Sequence, residues 1–178
     1  GSDWFVVPSL QYDASSFDRV DPVLGGDAGL VRLREACDRA GLRLLNDLTL
    51  NHTGDRHEWF VAAQADAASE EAGYYYFTDH PNDYESWLGV PSLPKVNHAS
   101  EPMRRRFYDG PDSVVARYLQ PPFSLDGWRI DVANMTGRYG MHDHNALVRA
   151  LARRTSDAVG HDRWLVGEHW FDASLDVM

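Results

Sequence analysis

Three short segments of the chain are rich in apolar residues, and segments with helical spacing separate them. These apolar segments are residues 42–50, 126–132 and 163–170. The first is leucine-dense and does not alternate between apolar and polar positions, which is typical of a strand buried on both faces in a parallel sheet covered by helices. The succession of helical and strand segments predicts an α/β fold with a parallel sheet.

Amphipathic helices are predicted between these strands. The first runs from Asp27, which can act as its N-cap, to about Ala40, and Gly41 ends it. Asp143 can cap a later helix whose apolar residues recur at every third or fourth position. The remaining predictions are helices at 101–109, 112–119 and 144–158, and a first strand near 4–7 or 15–20.

Residues 51–100 interrupt this alternation. They are rich in Tyr, Trp, Pro, Gly and Asn and show little periodicity, and so long a stretch without clear elements is usually functional. Charged residues lie at the C-terminal ends of the predicted strands, where β/α barrels carry their sites. A barrel fits better than a dinucleotide-binding fold, because no G-x-G-x-x-G sequence is present.

The composition narrows the classes of partner. The net charge of −10 and the pI near 5.1 make nucleic acid and anionic membrane surfaces poor partners. No apolar segment approaches the length of a membrane span, and without a recognisable signal peptide we expect a cytoplasmic protein. Cys37 is the single cysteine, so an intramolecular disulfide is impossible.

The charged residues at the strand ends suggest acid–base chemistry on a glycosidic bond. Arg129 and Asp131 are two residues apart on a strand and therefore share a face, so the arginine is expected to lower the pKa of Asp131 and keep it ionised as a nucleophile. Glu168 ends an apolar strand beside Trp170, where burial is expected to raise its pKa, as a general acid requires. Retaining glycosidases use two such carboxyl groups, about 5–5.5 Å apart.

Considered one at a time, each of these residues also has a purely structural explanation. Arg129 and Asp131 can form an ion pair that braces a sheet, Glu168 can cap a helix, and His52 can be a hydrogen-bonded core histidine. Asp47 lies within a leucine-rich strand, and we expect it to be a buried carboxylate that braces a neighbouring strand or loop. The sequence "MHDH" at 141–144 matches no zinc-binding spacing, and a polar helix cap is the favoured interpretation.

Four short motifs resemble the conserved regions of glycoside hydrolase family 13, the α-amylase family, and occur in that family's order. They are "DLTLNH" (47–52), "LPKVN" (93–97), "DGWRIDVAN" (126–134) and "LVGEHW" (165–170), and "YDASSFDRVDPVLGG" (12–26) resembles the stretch around the second strand. The forms of the second and third motifs are most similar to the neopullulanase, cyclomaltodextrinase and maltodextrin glucosidase subgroup.

The resemblance implies a (β/α)8 barrel, of which this chain provides about strands 2–5, with the domain B insertion after strand 3. Barrel segments are expected at 1–52 and 99–178 and the insertion at 53–98. It implies a retaining hydrolase of α-1,4-glucans such as maltooligosaccharides, without a required cofactor, although some relatives bind calcium near the position of Asn51. The implied catalytic residues are Asp131 and Glu168, and the implied substrate-binding residues are Tyr12, His52, Arg129 and His169.

Three departures from the family pattern accompany this resemblance. Leu10 and Met135 stand where many relatives have a histidine, or a histidine or glutamate, near the sugar. Nothing matches the fourth region, which carries the third carboxylate in relatives, so we expect an incomplete catalytic domain that is inactive alone.

We expect the open sheet edges of a partial barrel to associate with a second copy. The alternative is a non-catalytic scaffold or glucan-binding fragment. The aromatic residues of the insertion either line the substrate cleft or form a small core: Trp59, Tyr84 and Trp87.

Overall fold

The structure, a computed structural model, describes residues 12–170. Within these residues the chain forms two compact units. We call residues 17–51 and 97–170 the sheet unit, and residues 12–16 and 52–96 the loop unit. Residues 12–16 thus group with 52–96, whereas they were expected in the barrel. The division into barrel and domain B stays a prediction.

The described residues form five helices and seven strands, besides short 3₁₀ turns. The helices are α1 (Gly26–Ala40), α2 (Glu58–Ala65), α3 (Glu101–Phe107), α4 (Val114–Leu119) and α5 (Asn145–Val159). The strands are β1 (Leu45–Leu48), β2 (Phe77–Asp79), β3 (Asp83–Tyr84), β4 (Gly127–Ile130), β5 (Arg138–Tyr139), β6 (His142–Asp143) and β7 (Trp164–Gly167).

The sheet unit is built on three parallel strands in the order β1-β4-β7. These strands lie within the three apolar segments, so the predicted α/β fold with a parallel sheet is confirmed. The alternative first strand at 15–20 was wrong. These residues form bends and irregular backbone, and the Val20 N–H donates to the Asp27 carboxylate (2.9 Å) instead of to a neighbouring strand. The other alternative, 4–7, lies outside the described residues.

The long helices begin one residue from their predicted starts. Helix α1 begins at Gly26 after Gly25, which has a positive φ of 95°, so Asp27 is not the N-cap but an acidic residue of the first turn. Asp143 was predicted to cap α5, and its carboxylate does accept a hydrogen bond from the Asn145 N–H (2.9 Å) at the start of that helix.

The two faces of the sheet differ in their surroundings. One face is covered by helices: Trp128 is 2% exposed, and its indole N–H donates to the Val115 carbonyl of α4 (3.3 Å). Strand side chains alternate between faces, so Arg129 points to the opposite face. That opposite face is open, because Trp164 and Val166 of β7 are 51% and 48% exposed. We call it the open face.

A buried arginine fastens α1 to the beginning of β4. The side chain of Arg34 donates to the carboxylates of Asp126 (2.5 Å) and Asp38 (2.6 Å) and to the Leu42 carbonyl (3.0 Å). Asp126 also accepts the Leu44 N–H at 2.7 Å, just before β1. One ion pair therefore links a helix to two neighbouring strands.

The loop unit has its own aromatic core around α2. Trp59 and Phe60 are 2% and 0% exposed, and the rings of Tyr74 and Tyr75 pack against them edge-on. Of the two predicted roles for the aromatic residues here, Trp59 has the core role. Strands β2 and β3 form an antiparallel pair beside this core. No helix of the described residues is long and apolar enough to cross a membrane.

Candidate active site

The hydrogen-bond pattern of the parallel sheet continues past the ends of β4 and β7. Asp131 follows β4 and donates its backbone N–H to the Leu48 carbonyl of β1 (3.1 Å). Glu168 follows β7 and donates its backbone N–H to the Ile130 carbonyl of β4 (2.9 Å). Because carboxyl ends of parallel strands meet at one edge of a sheet, the two predicted catalytic residues come together there.

Arg129 lies at the centre of three carboxyl groups. Its Nη1 is 2.5 Å from Asp47 Oδ1 and 3.8 Å from Asp131 Oδ1, and its Nη2 is 3.0 Å from Glu168 Oε1. The ion pair with Asp47 follows from strand register, since these two residues are direct partners across β1 and β4. The predicted ion pair of Arg129 with Asp131 is therefore present, and it is the longest of these three ion pairs.

Asp47 differs from its prediction in one respect. Its side chain is 41% exposed on the open face, so it is not a buried carboxylate. It does brace the neighbouring strand, as expected, through Arg129.

The protonation of Asp131 is opposite to the prediction. Burial of the Asp131 side chain, which is 9% exposed, and its hydrogen bond and repulsion with Glu168 raise its pKa to about 7. The positive charge of Arg129 offsets only part of this increase, because the guanidinium is bonded to the other two carboxylates. Asp131 therefore holds a proton over much of the range below neutral pH.

Glu168 is likewise opposite to its prediction. Burial favours its neutral form, but the net pKa is lowered by hydrogen bonds from the Val132 N–H and the Trp170 side chain and by the charge of Arg129. The Val132 N–H lies 2.9 Å from Glu168 Oε2. Trp170, expected to desolvate Glu168, instead stabilises its ionised form by a hydrogen bond. A protonated Asp131 thus donates a hydrogen bond to an ionised Glu168.

Val132 has an unusual backbone for a β-branched residue. Its φ is +48°, in the left-handed region, which costs such a residue about 1–3 kcal/mol. This conformation turns the chain sharply after Asp131 and directs the Val132 N–H at Glu168. The Val132 carbonyl accepts the N–H groups of Met135 and Thr136. The sequence contained no signal for it, because glycine or asparagine normally marks such a position.

The predicted sugar-binding residues Tyr12 and His52 lie together in the loop unit. His52 is 2% exposed, and burial lowers its pKa to about 4, with a smaller contribution from the charge of Lys95. A hydrogen bond with the Tyr12 backbone acts in the opposite direction. The ring of Trp87 stacks on His52 with centroids 5.7 Å apart. His52 is therefore a neutral imidazole near neutral pH.

The other predicted residues are placed as follows. His169 belongs to the sheet unit, directly after Glu168, and is half-buried. Within residues 12–170 no three His, Cys, Asp or Glu side chains are grouped closely enough to hold a metal ion. His142 is exposed and His144 is half-buried, and their rings stack with centroids 6.3 Å apart. Leu10 lies outside the described residues.

A pair of carboxyl groups at the carboxyl ends of parallel strands, with an arginine between them, is the arrangement of a glycoside hydrolase site on an α/β fold. The family described as alpha amylase, catalytic domain matches residues 5–173. The chain therefore belongs to the α-amylase family, glycoside hydrolase family 13, as its motifs indicated.

The predicted likeness to neopullulanases and cyclomaltodextrinases is also confirmed. The chain is 29% identical to the cyclomaltodextrinase of Geobacillus thermopakistaniensis over 95% of its own length and 28% of that protein. It is 28% identical to neopullulanase 2 of Thermoactinomyces vulgaris, over 96% of the chain and 28% of the relative. The solved cyclic α-maltosyl-(1→6)-maltose hydrolase of Arthrobacter globiformis, in complex with that sugar, is 26% identical, with a TM-score of 0.76 over 90% of this chain and 35% of the other. The chain spans less than a third of the two curated relatives.

Proposed function

We propose that this chain is part of the catalytic domain of a retaining α-glucan hydrolase. The observation that carries the proposal is the placement of Asp131 and Glu168 on either side of Arg129, at the carboxyl ends of the neighbouring strands β4 and β7. In this proposal Asp131 attacks the anomeric carbon of the sugar, while Glu168 gives its proton to the departing glycosidic oxygen. Glu168 then takes a proton from water, whose oxygen displaces Asp131 from the sugar.

The proposed reaction begins with the opposite protonation from that of the free site. A single proton transfer along the hydrogen bond from Asp131 to Glu168 gives the required pair, an ionised nucleophile and a protonated acid. A sugar ring that enters between the two groups separates them and displaces water. Arg129, which contacts both, then faces an ionised Asp131 without the competing charge of Glu168.

The proposed substrates are α-1,4-linked glucans such as maltooligosaccharides. The relatives named as a cyclomaltodextrinase and a neopullulanase, and the hydrolase solved with a cyclic maltosyl-maltose, support this class. We assign Tyr12 to stacking on the sugar at the cleavage site, and His52 and His169 to hydrogen bonds with its hydroxyl groups. The neutral state of His52 suits this role, since a neutral imidazole both donates and accepts.

The finer fold assignment belongs to the same proposal. The strands β1, β4 and β7 are assigned to positions 3 to 5 of an eight-stranded barrel, and residues 53–98 to domain B. The open face is then the inner face of that barrel, which further strands would cover. Its exposed apolar side chains, Trp164 and Val166, support this assignment.

A second candidate is a glucan-binding or scaffold role without catalysis. The observation that favours it is the closed pair itself, because Asp131 is protonated and hydrogen-bonded to Glu168 instead of being poised for attack. In a purely binding protein this pair would be a stable structural hydrogen bond.

The two candidates are separated by assaying the protein expressed from its complete gene on maltooligosaccharides, cyclodextrin and pullulan. Hydrolysis with net retention at the anomeric centre is expected, and Glu168→Gln should lower the rate by about 100-fold or more. Glu101→Gln is the matched control, because Glu101 lies on α3, and its side chain is 63% exposed. A protein inert on all three substrates, or a Glu168→Gln variant as active as the wild type, would exclude the catalytic proposal.

A further inference from the structure

We propose that Asp47 is a positioning residue that holds Arg129 away from Asp131 and so sets which carboxyl group of the site is ionised. For its catalytic meaning this inference rests on the proposed function. Its test needs no substrate, because it concerns the protonation of the free site.

The geometry shows a competition for one nitrogen atom. Nη1 of Arg129 faces both aspartates, at 2.5 Å from Asp47 and 3.8 Å from Asp131. Because an N–H···O hydrogen bond spans about 2.7–3.2 Å, Nη1 is bonded to Asp47 and only near Asp131. A movement of about 1 Å would exchange these partners, since it would bring Nη1 within that bonding range of Asp131.

Strand register explains why Asp47 holds this nitrogen. Asp47 and Arg129 are paired directly across two parallel strands, so their side chains leave the sheet at the same height and on the same face. Asp131 lies two residues further along and beyond the end of β4. The carboxylate of Asp47 therefore meets the guanidinium without any rearrangement of either strand.

The charged groups around Asp131 come from all three strands. Asp47 on β1 and Glu168 after β7 are negative, and Arg129 on β4 is the positive group. Three effects raise the pKa of Asp131, and in order of size they are burial, Glu168 and Asp47. The charge of Arg129 lowers this pKa. Removal of Asp47 should lower the pKa of Asp131 in two ways. It removes a negative charge, and it releases the guanidinium nitrogen that faces Asp131.

Asp47 thereby favours the protonated form of the proposed nucleophile in the free site. A carboxyl group attacks carbon only when it is ionised, so an arginine that moves from Asp47 to Asp131 would activate it. We infer that the partition of Arg129 between its two aspartate neighbours tunes the pH at which the nucleophile is ready.

The test is a carbon-detected NMR titration of the side-chain carboxyl groups in this chain, with Asp131 identified by the signal lost in Asp131→Asn. In Asp47→Asn the pKa of Asp131 is expected to fall by about one to three units, the effect of a newly paired arginine. In Asp47→Glu, which keeps the charge, the pKa should stay closer to that of the wild type. Asp38→Asn is the matched control, since Asp38 is also paired with an arginine and its side chain is 66% exposed, away from the site.

An unchanged or raised pKa of Asp131 in folded Asp47→Asn would overturn the inference. Asp47 is partly exposed, and Asn has nearly the same shape, so the variant should fold. Should it not, Asp47→Ser provides the same comparison. Failure here leaves the hydrolase proposal intact, because that proposal is tested by turnover of glucans. Conversely, a protein inert on glucans leaves the titration result unaffected.

Discussion

Replacing Asp131 with asparagine should change how the stability of the protein depends on pH. The substitution keeps the shape of the side chain and removes its ionisation. In the wild type, Asp131 is buried beside the Glu168 carboxylate, an environment that favours the protonated form. We therefore expect wild-type stability to decrease as the pH rises towards neutrality, and this decrease to be largely absent in Asp131→Asn.

The magnitude follows from the pKa of this one group. The carboxyl of Asp131 has a pKa of about 7 in the folded protein, against an ordinary value of 3.8. Between these two pH values the folded state binds more protons than the unfolded state, so stability decreases with rising pH. At about 1.4 kcal/mol per pKa unit the full decrease is about 4 kcal/mol. Glu168 offsets part of it, because its lowered pKa adds stability as the pH rises through the acidic range.

The assay is urea unfolding followed by tryptophan fluorescence, at several pH values from about 4 to about 8. The difference in unfolding free energy between Asp131→Asn and the wild type should shift in favour of the variant by about 2–4 kcal/mol across this range. Asp38→Asn, which changes an exposed carboxylate away from the site, should follow the wild type. Parallel pH dependences of Asp131→Asn and wild type would refute the reasoning, since Asp131 would then have an ordinary pKa.

The strands and helices could be predicted from the sequence because local patterns determine them. The leucine-dense segment contains β1, and the spacing of Leu147, Val148 and Leu151 indicates α5. The start of α1 was mispredicted because nearby residues compete for the cap position. Asp27 resembles a helix cap, but Gly25, with its positive φ, takes the cap position and leaves Asp27 to bind the Val20 N–H.

The meeting of Asp131 and Glu168 at one edge of the sheet could be predicted, whereas their protonation could not. Asp131 and Glu168 stand at strand ends, and parallel strands bring their ends together whatever the details of packing. The pKa of Asp131 depends instead on its burial and on Glu168, and Arg129 offsets these effects only in part, because its charge is divided among three carboxylates. That division is set by the register of β1 against β4, which pairs Asp47 with a residue 82 positions away. Sequence proximity indicated the Arg129–Asp131 pair, which is present, but not the shorter pair with Asp47.

Further tests address the packing of the sheet unit. Arg34→Met should destabilise the protein by about 3–5 kcal/mol in urea unfolding, because it removes the buried guanidinium that pairs with the partly buried carboxylate of Asp126. Arg105→Met, at an exposed pair, should cost less than about 1 kcal/mol. Trp164→Glu should reduce any self-association of the isolated chain in light scattering, since this side chain is half-exposed on the open face; unchanged association would place the contact elsewhere. Gly127→Ala should separate β4 from β7, because its Cβ would lie 2.0 Å from the Trp164 carbonyl oxygen, and backbone cannot yield as a side chain does. Gly73→Ala, with open space around it, is the control, and equal stability of the two alanine variants in thermal unfolding would contradict the close approach of these strands.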